Sequence, residues 1–126
     1  MGTAEFYRVV ESLDFVADSL VVETTDGAER GTLWLFVVLT QGATLDESTT
    51  SRLRSALSTR LSPRHVPDEI RAVTAIPRTL SGKKLEVPVK RILMGTPIEK
   101  AANPGTLQNP QALADLLRAA KAGLES

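Results

Sequence analysis

Apolar positions change period several times along the chain, and each change marks an element. Phe6, Val9, Val10 and Leu13 recur at helical spacing, which predicts an amphipathic helix over 4–13. Thr3 stands where an N-cap would, and Glu5 in the first turn suits the positive end of the helix dipole. The run "VADSLVVET", Val16 to Thr24, is rich in β-branched residues and reads as a strand. Asp26-Gly27 and Gly31 supply turn chemistry, after which "TLWLFVVLT", Thr32 to Thr40, is apolar on both faces. Such a run predicts a central strand, paired antiparallel with the one before it.

Thr44 and Glu47 have the spacing of a capping box ahead of a helix carrying Leu53, Ala56, Leu57 and Leu61 on one face. Pro63 and Pro67 cannot continue that helix, so "SPRHVP" ends it. "EIRAVTAI", Glu69 to Ile76, reads as a third strand. The segment "IPRTLSGKKLEVPVK" follows, first as a loop and then as a short helix with Pro88 near its start and Val89, Ile92 and Leu93 turned inward. Gly95 and Pro97 stop this helix, Thr96 to Gln108 reads as an extended tail, and Asn109-Pro110 as the cap and first residue of a last helix bearing Leu113, Leu116 and Leu117. The expected fold is α+β: an α/β sandwich with a small three-stranded sheet covered by helices, and a C-terminal extension ending in a helix.

Composition narrows the function classes. A chain of 126 residues, 42% of them apolar, can bury one real core. Fifteen basic residues offset fifteen acidic ones, so no large positive field is available to hold a nucleic-acid backbone. The five aromatic residues are few for base stacking, which also argues against an RNA-binding module. Cysteine is absent, which excludes a disulfide framework and fits a reducing, cytoplasmic setting. The apolar run Leu33 to Leu39 is far short of the ~20 residues that span a bilayer. "MGTAEFYRVVE" has neither a basic start nor an apolar signal core, and its helical pattern begins at once, as expected of a domain cut from a longer chain.

Two adjacent lysines after Ser81-Gly82 are the candidate chemistry. A Walker loop fails here, because Pro77 takes the place of its first glycine and Lys84 that of its hydroxyl. What remains is a glycine loop with a lysine at its tip, which alone is more often surface charge than chemistry. His65 is the sole histidine and lies between two prolines with no partner histidine or cysteine, so no metal site is expected. Trp34 and Phe36 read as core.

A strand ending in "IPRT", then "SGK", then a short basic helix resembles the C-terminal domain of adenylate-forming acyl-CoA synthetases. "MGTAEFYRVVESLDFVADSLVV" is similar to that family's segment just past its interdomain hinge, and "SPRHVPDEIRAVTAIPRTLSGK" to its closing portion. The insert "KKLEVPVKRILMGTPIEK" and the tail "AANPGTLQNPQALADLLRAAK" look most like the acetoacetyl-CoA synthetase branch, with acetyl-CoA or other short-chain acyl-CoA synthetases as the alternative. A freestanding α/β binding module is the alternative of another class.

The resemblance implies a two-step acid–thiol ligase using ATP, Mg2+ and CoA, which bind mainly to an N-terminal adenylation domain of the same polypeptide; the fragment alone would be inactive. It implies a mobile domain over 1–95 and an extension over 96–126. Lys83 would match the catalytic lysine of acyl-adenylate formation, within the loop of Ser81, Gly82 and Lys84. Gly2 and Thr3 would border the pantetheine tunnel after domain rotation; Arg60 and Arg64, with Arg54 and Lys90 as weaker candidates, would meet the CoA phosphates. Acetylation of Lys83, by an acetyltransferase and reversed by a deacetylase, is a further implication.

Overall fold

The computed structural model describes residues 3–25 and 31–124. Gly2 and the Asp26-Gly27 turn lie outside the described residues. The chain runs α1 (Thr3–Val10), β1 (Val16–Thr24), β2 (Thr32–Leu39), α2 (Glu47–Arg60), β3 (Glu69–Ala72), α3 (Glu86–Leu93), α4 (Ile98–Ala101) and α5 (Pro110–Leu124), with 3-10 turns at Pro63–His65 and Pro104–Thr106. The expected α+β architecture is the one observed.

The sheet has the order β1-β2-β3, with β2 in the centre as its two-faced apolarity demands. β1 pairs antiparallel with β2 from Val16↔Leu39 to Thr24↔Thr32, with an irregularity between Val16 and Asp18. β3 pairs parallel to β2, from Trp34↔Glu69 to Val37↔Ala72, so α2 serves as the crossover. Alternation along β2 sends Leu33, Leu35 and Val37 to one face, where α1 and α2 cover them with Phe6, Val10, Leu53 and Leu57. Trp34 and Phe36 go to the other face, stacked with ring centroids 5.9 Å apart. There α3, the tail and α5 cover them with Val89, Leu107, Leu113 and Leu116. Both apolar layers are thus closed by residues of the chain itself. Among the described residues, no helix is long and apolar enough to cross a membrane.

Several local expectations are corrected. Helix α1 stops at Val10 rather than at Leu13, because the amides of Ser12 and Leu13 reach back only three residues, to Val9 and Val10. Thr3 lies within the helix rather than capping it. The capping box of α2 is built by Asp46 and Thr49, not by Thr44 and Glu47: Asp46 accepts from the Thr49 amide, and the Thr49 hydroxyl accepts from the Asp46 amide. Strand β3 is shorter than the 69–76 run, because the chain leaves the sheet after Val73 donates to Val37. The tail is not simply extended: it contains α4 and a 3-10 turn. Gly95, at φ +108°, closes α3 in a Schellman arrangement, its amide bonding Ile92 and that of Thr96 bonding Arg91.

Candidate functional site

The loop after β3 is a tight hairpin. Arg78 pairs antiparallel with Lys84, the Thr79 amide donates to the Lys83 carbonyl at 2.9 Å, and the Gly82 amide closes the turn on Thr79 at 2.9 Å. Gly82 takes φ +91°, a conformation that costs a residue with a Cβ but not glycine. The Thr79 hydroxyl accepts from the Lys83 amide at 3.1 Å and lies 3.0 Å from the Ser81 hydroxyl. The Arg78 guanidinium braces the turn from beneath: it donates to the Gly82 carbonyl at 2.8 Å and grips both Asp18 oxygens at 2.9 and 2.7 Å. The lysine loop is therefore a braced turn.

The two lysines at its end face different surroundings. Lys83 is exposed, and its ammonium has no hydrogen-bond or ion-pair partner among the described residues. Lys84 turns inward, its side chain 15% exposed. Its ammonium donates to Glu11 at 2.6 Å, lies 3.6 Å from Asp18, and sits 3.4 Å from the centroid of the Tyr7 ring. Ser19, fully buried in β1, donates to the same Glu11 oxygen at 2.6 Å. Tyr7 donates to Glu86 at the start of α3 and accepts the Val21 amide at 3.1 Å, so its hydroxyl covers the open edge of β1. Burial, then the hydrogen bond to Glu86, push the Tyr7 phenol far above its ordinary value, so it stays a donor at any physiological pH.

Sequence reading missed this cluster. Only the return of the chain after β3 brings Arg78 and Lys84 to Asp18 and Glu11, and Glu86 to Tyr7. A signal was present around α1, where Tyr7 and Glu11, the residue after the helix, are four apart at helical spacing.

The other candidates lie on other elements than the hairpin. Thr3 opens α1, partly exposed; Arg60, at the end of α2, is exposed and donates to the Ser12 hydroxyl at 2.8 Å. Arg64 is exposed in the 3-10 turn that follows α2. Thr3 and Arg60 belong to α1 and α2, which cover one face of the sheet, whereas α3, with its exposed Lys90, covers the opposite face. Arg54 turns its Nε toward the Pro67 carbonyl at 3.5 Å, and His65 meets Ser62 at 2.7 Å. The structure therefore groups Ser81, Gly82 and Lys83 in one turn and puts Thr3 at the start of α1, Arg60 at the end of α2 and Arg64 in the turn that follows it.

Residues 8–83 match the family profile described as the AMP-binding enzyme C-terminal domain. The chain is 42% identical over 115 residues to the acetoacetyl-CoA synthetase of Caenorhabditis elegans, covering 90% of this chain and 16% of that protein. It is 42% identical over 125 residues to acetoacetyl-coenzyme A synthetase of Rhizobium meliloti, covering 99% of this chain and 18% of that protein. Among solved structures, acetoacetyl-CoA synthetase from Streptomyces lividans superimposes with a TM-score of 0.84 at 45% identity, over 100% of this chain and 18% of that one. The chain thus spans under a fifth of the length of the curated relatives it matches. The family profile ends at Lys83, so α3, the tail and α5 lie beyond it.

Proposed function

The chain belongs to the family of C-terminal domains of AMP-binding enzymes, and from that premise we propose that it is the C-terminal domain of an ATP-dependent acetoacetyl-CoA synthetase in which Lys83 serves acyl-adenylate formation. In that half-reaction a carboxylate oxygen attacks the α-phosphorus of ATP, the bond to the β-phosphate bridge breaks, and pyrophosphate leaves. Two anions must approach, and negative charge gathers on the phosphoryl oxygens. A point cation between carboxylate and phosphate offsets that repulsion and holds the in-line geometry. In the second half-reaction the CoA sulfur attacks the acyl carbon, its proton is released, and AMP leaves.

One observation carries the choice of lysine. Lys83 presents a free ammonium from a braced turn, whereas Lys84 is already neutralised by Glu11 and Asp18. A cation committed to two carboxylates has little to offer an incoming phosphate. Gly82 at φ +91° puts the turn in the shape that exposes Lys83. The same exposure makes Lys83, not Lys84, the lysine that an acetyltransferase would reach, and acetylation would remove the charge on which the first half-reaction depends.

Gly2, Thr3, Arg60 and Arg64 are assigned to the CoA site of the second half-reaction. The support is their exposure: Arg60 and Arg64 are exposed and Thr3 partly so, on elements other than the lysine turn, which leaves them accessible to a ligand when that turn is withdrawn. ATP, acetoacetate, Mg2+ and most CoA contacts are assigned to the N-terminal adenylation domain.

The test uses the full-length enzyme containing this chain. Lys83→Ala is expected to abolish acetoacetate-dependent ATP–pyrophosphate exchange while sparing thioester formation from supplied acyl-adenylate; Lys84→Ala is expected to retain exchange. The reverse pattern would move the role to Lys84. Exchange with acetate in place of acetoacetate would assign the chain to the short-chain branch instead.

A further inference from the structure

The hairpin that carries Lys83 is not left as two strands. Its first strand bonds Lys83 and Leu85 on one side, and on the other it pairs with the tail, 106–109. Thr79 forms an antiparallel bridge with Leu107, the Leu80 amide donates to the Thr106 carbonyl at 3.0 Å, and the Gln108 amide donates to the Arg78 carbonyl at 2.9 Å. Asn109 then spans two residues of the strand with its side chain. Its Oδ1 accepts the Arg78 amide at 3.0 Å, and its Nδ2 donates to the Ile76 carbonyl at 3.0 Å. Leu107, buried with Ile76, Leu85 and Leu116, pins the segment to the core.

Asn109 directly precedes α5, where an asparagine ordinarily caps the helix with its side chain. Here the Ala112 amide bonds the Asn109 backbone carbonyl instead, and the carboxamide is turned away to the hairpin. A side chain diverted from a favourable cap marks the hairpin contact as the stronger demand. Both ends of the amide are used, which no carboxylate could reproduce, because a carboxylate has no proton for the Ile76 carbonyl.

We propose that the tail segment 106–109 is a positioning element for Lys83, docking as a third strand, with Asn109 as the residue that sets its register. A two-stranded hairpin is marginal alone, and pairing on both edges fixes the turn before any anion arrives. The proposal rests on the reading of Lys83 as the adenylation lysine.

Asn109→Asp and Asn109→Ala test it in two ways. As a plain N-cap, aspartate would serve as well as asparagine. As a two-ended clamp it must fail, with hydrogen exchange of the Leu80 and Lys83 amides accelerated about tenfold or more relative to α2 amides in the 126-residue chain. In the full-length enzyme, both variants are expected to slow ATP–pyrophosphate exchange about tenfold, while thioester formation from supplied acyl-adenylate stays within about twofold. Wild-type amide exchange in Asn109→Asp would overturn the clamp. So would loosened amides without loss of adenylation, or a parallel loss of both half-reactions. Should Asn109→Ala fail to fold, Asn109→Asp alone decides. A Lys83→Ala control that keeps its pyrophosphate exchange would sink the lysine assignment instead, and the amide-exchange result would still judge the clamp.

Discussion

Lys84 donates to Glu11 at 2.6 Å, joining residues 73 apart in the sequence, while Lys83 beside it faces solvent. That bond crosses from the end of the hairpin to the residue that follows α1 and ties the hairpin and α3 to the β1 edge. Removing it leaves the half-buried Glu11 with the Ser19 hydroxyl but no cation, while Asp18 keeps Arg78. Lys84→Met, which keeps the stem, is expected to destabilise the 126-residue chain by about 1–3 kcal/mol. Lys83→Met is expected to stay within about 0.5 kcal/mol of wild type. Urea titrations of the two variants check this, and equal midpoints would refute the division of roles.

Chemical access should follow the same division. Limited acetylation of the folded chain, followed by peptide mass spectrometry, is expected to modify Lys83 well before Lys84. The reason is geometric, since the Lys84 ammonium lies between Glu11, Asp18 and the Tyr7 ring. Simultaneous labelling of both would mean that the Lys84 ion pairs open on the timescale of the reaction.

Gly82 has open space around the position of a Cβ, so Gly82→Ala would clash with nothing. Its cost is conformational: at φ +91° an alanine loses roughly 1–2 kcal/mol. The turn is then expected to relax, and in the full-length enzyme adenylation should fall while thioester formation from supplied acyl-adenylate persists. Unchanged exchange kinetics would show that the reaction tolerates a different turn.

Much of this fold was legible because periodicity survives without tertiary help. Strand β1 runs from Val16 to Thr24 as read, and the two-faced β2 is central. What escaped are features decided by which neighbours the chain meets. Asp46, one residue before the helix, took the cap position expected of Thr44 because its carboxylate accepts the Thr49 amide, and the Thr49 hydroxyl took the part expected of Glu47. Asn109 reads as a cap in one dimension and acts as a cross-strand clamp in three. The lysine turn itself was recognisable from "SGKK", but which lysine remains free depended on Glu11 and Asp18, whose proximity no local pattern encodes.

The tail offers a test of cooperativity. Leu116 in α5 and Leu57 in α2 are both fully buried, on opposite faces of the sheet. Each truncation to alanine is expected to cost about 2–5 kcal/mol. If 96–126 folds as part of the same unit, both variants should unfold in a single transition seen alike by Trp34 fluorescence and by circular dichroism. A separate early transition in Leu116→Ala would mean that the extension can detach from the sheet while the rest stays folded.

Acid stability should carry the signature of the α2 cap. The Thr49 amide, then its hydroxyl, hold the Asp46 carboxyl below its ordinary value of 3.8. Gln111, with Arg118 and Thr74, does the same for Asp115. A carboxyl whose folded-state value is depressed contributes stability that is fully present above its unfolded value. That contribution is lost as pH falls through the lower folded value, because the unfolded chain then binds the proton more readily. The stability curve is therefore expected to decline below about pH 4. Asp46→Asn keeps a side-chain acceptor for the Thr49 amide but carries no titrating charge. It should flatten the acid limb while leaving the neutral-pH midpoint near that of wild type. Midpoints of urea unfolding measured between neutral pH and the acid limb would decide the point. An acid limb as steep as that of wild type would assign the loss to Asp115, whose carboxyl is held low in the same way.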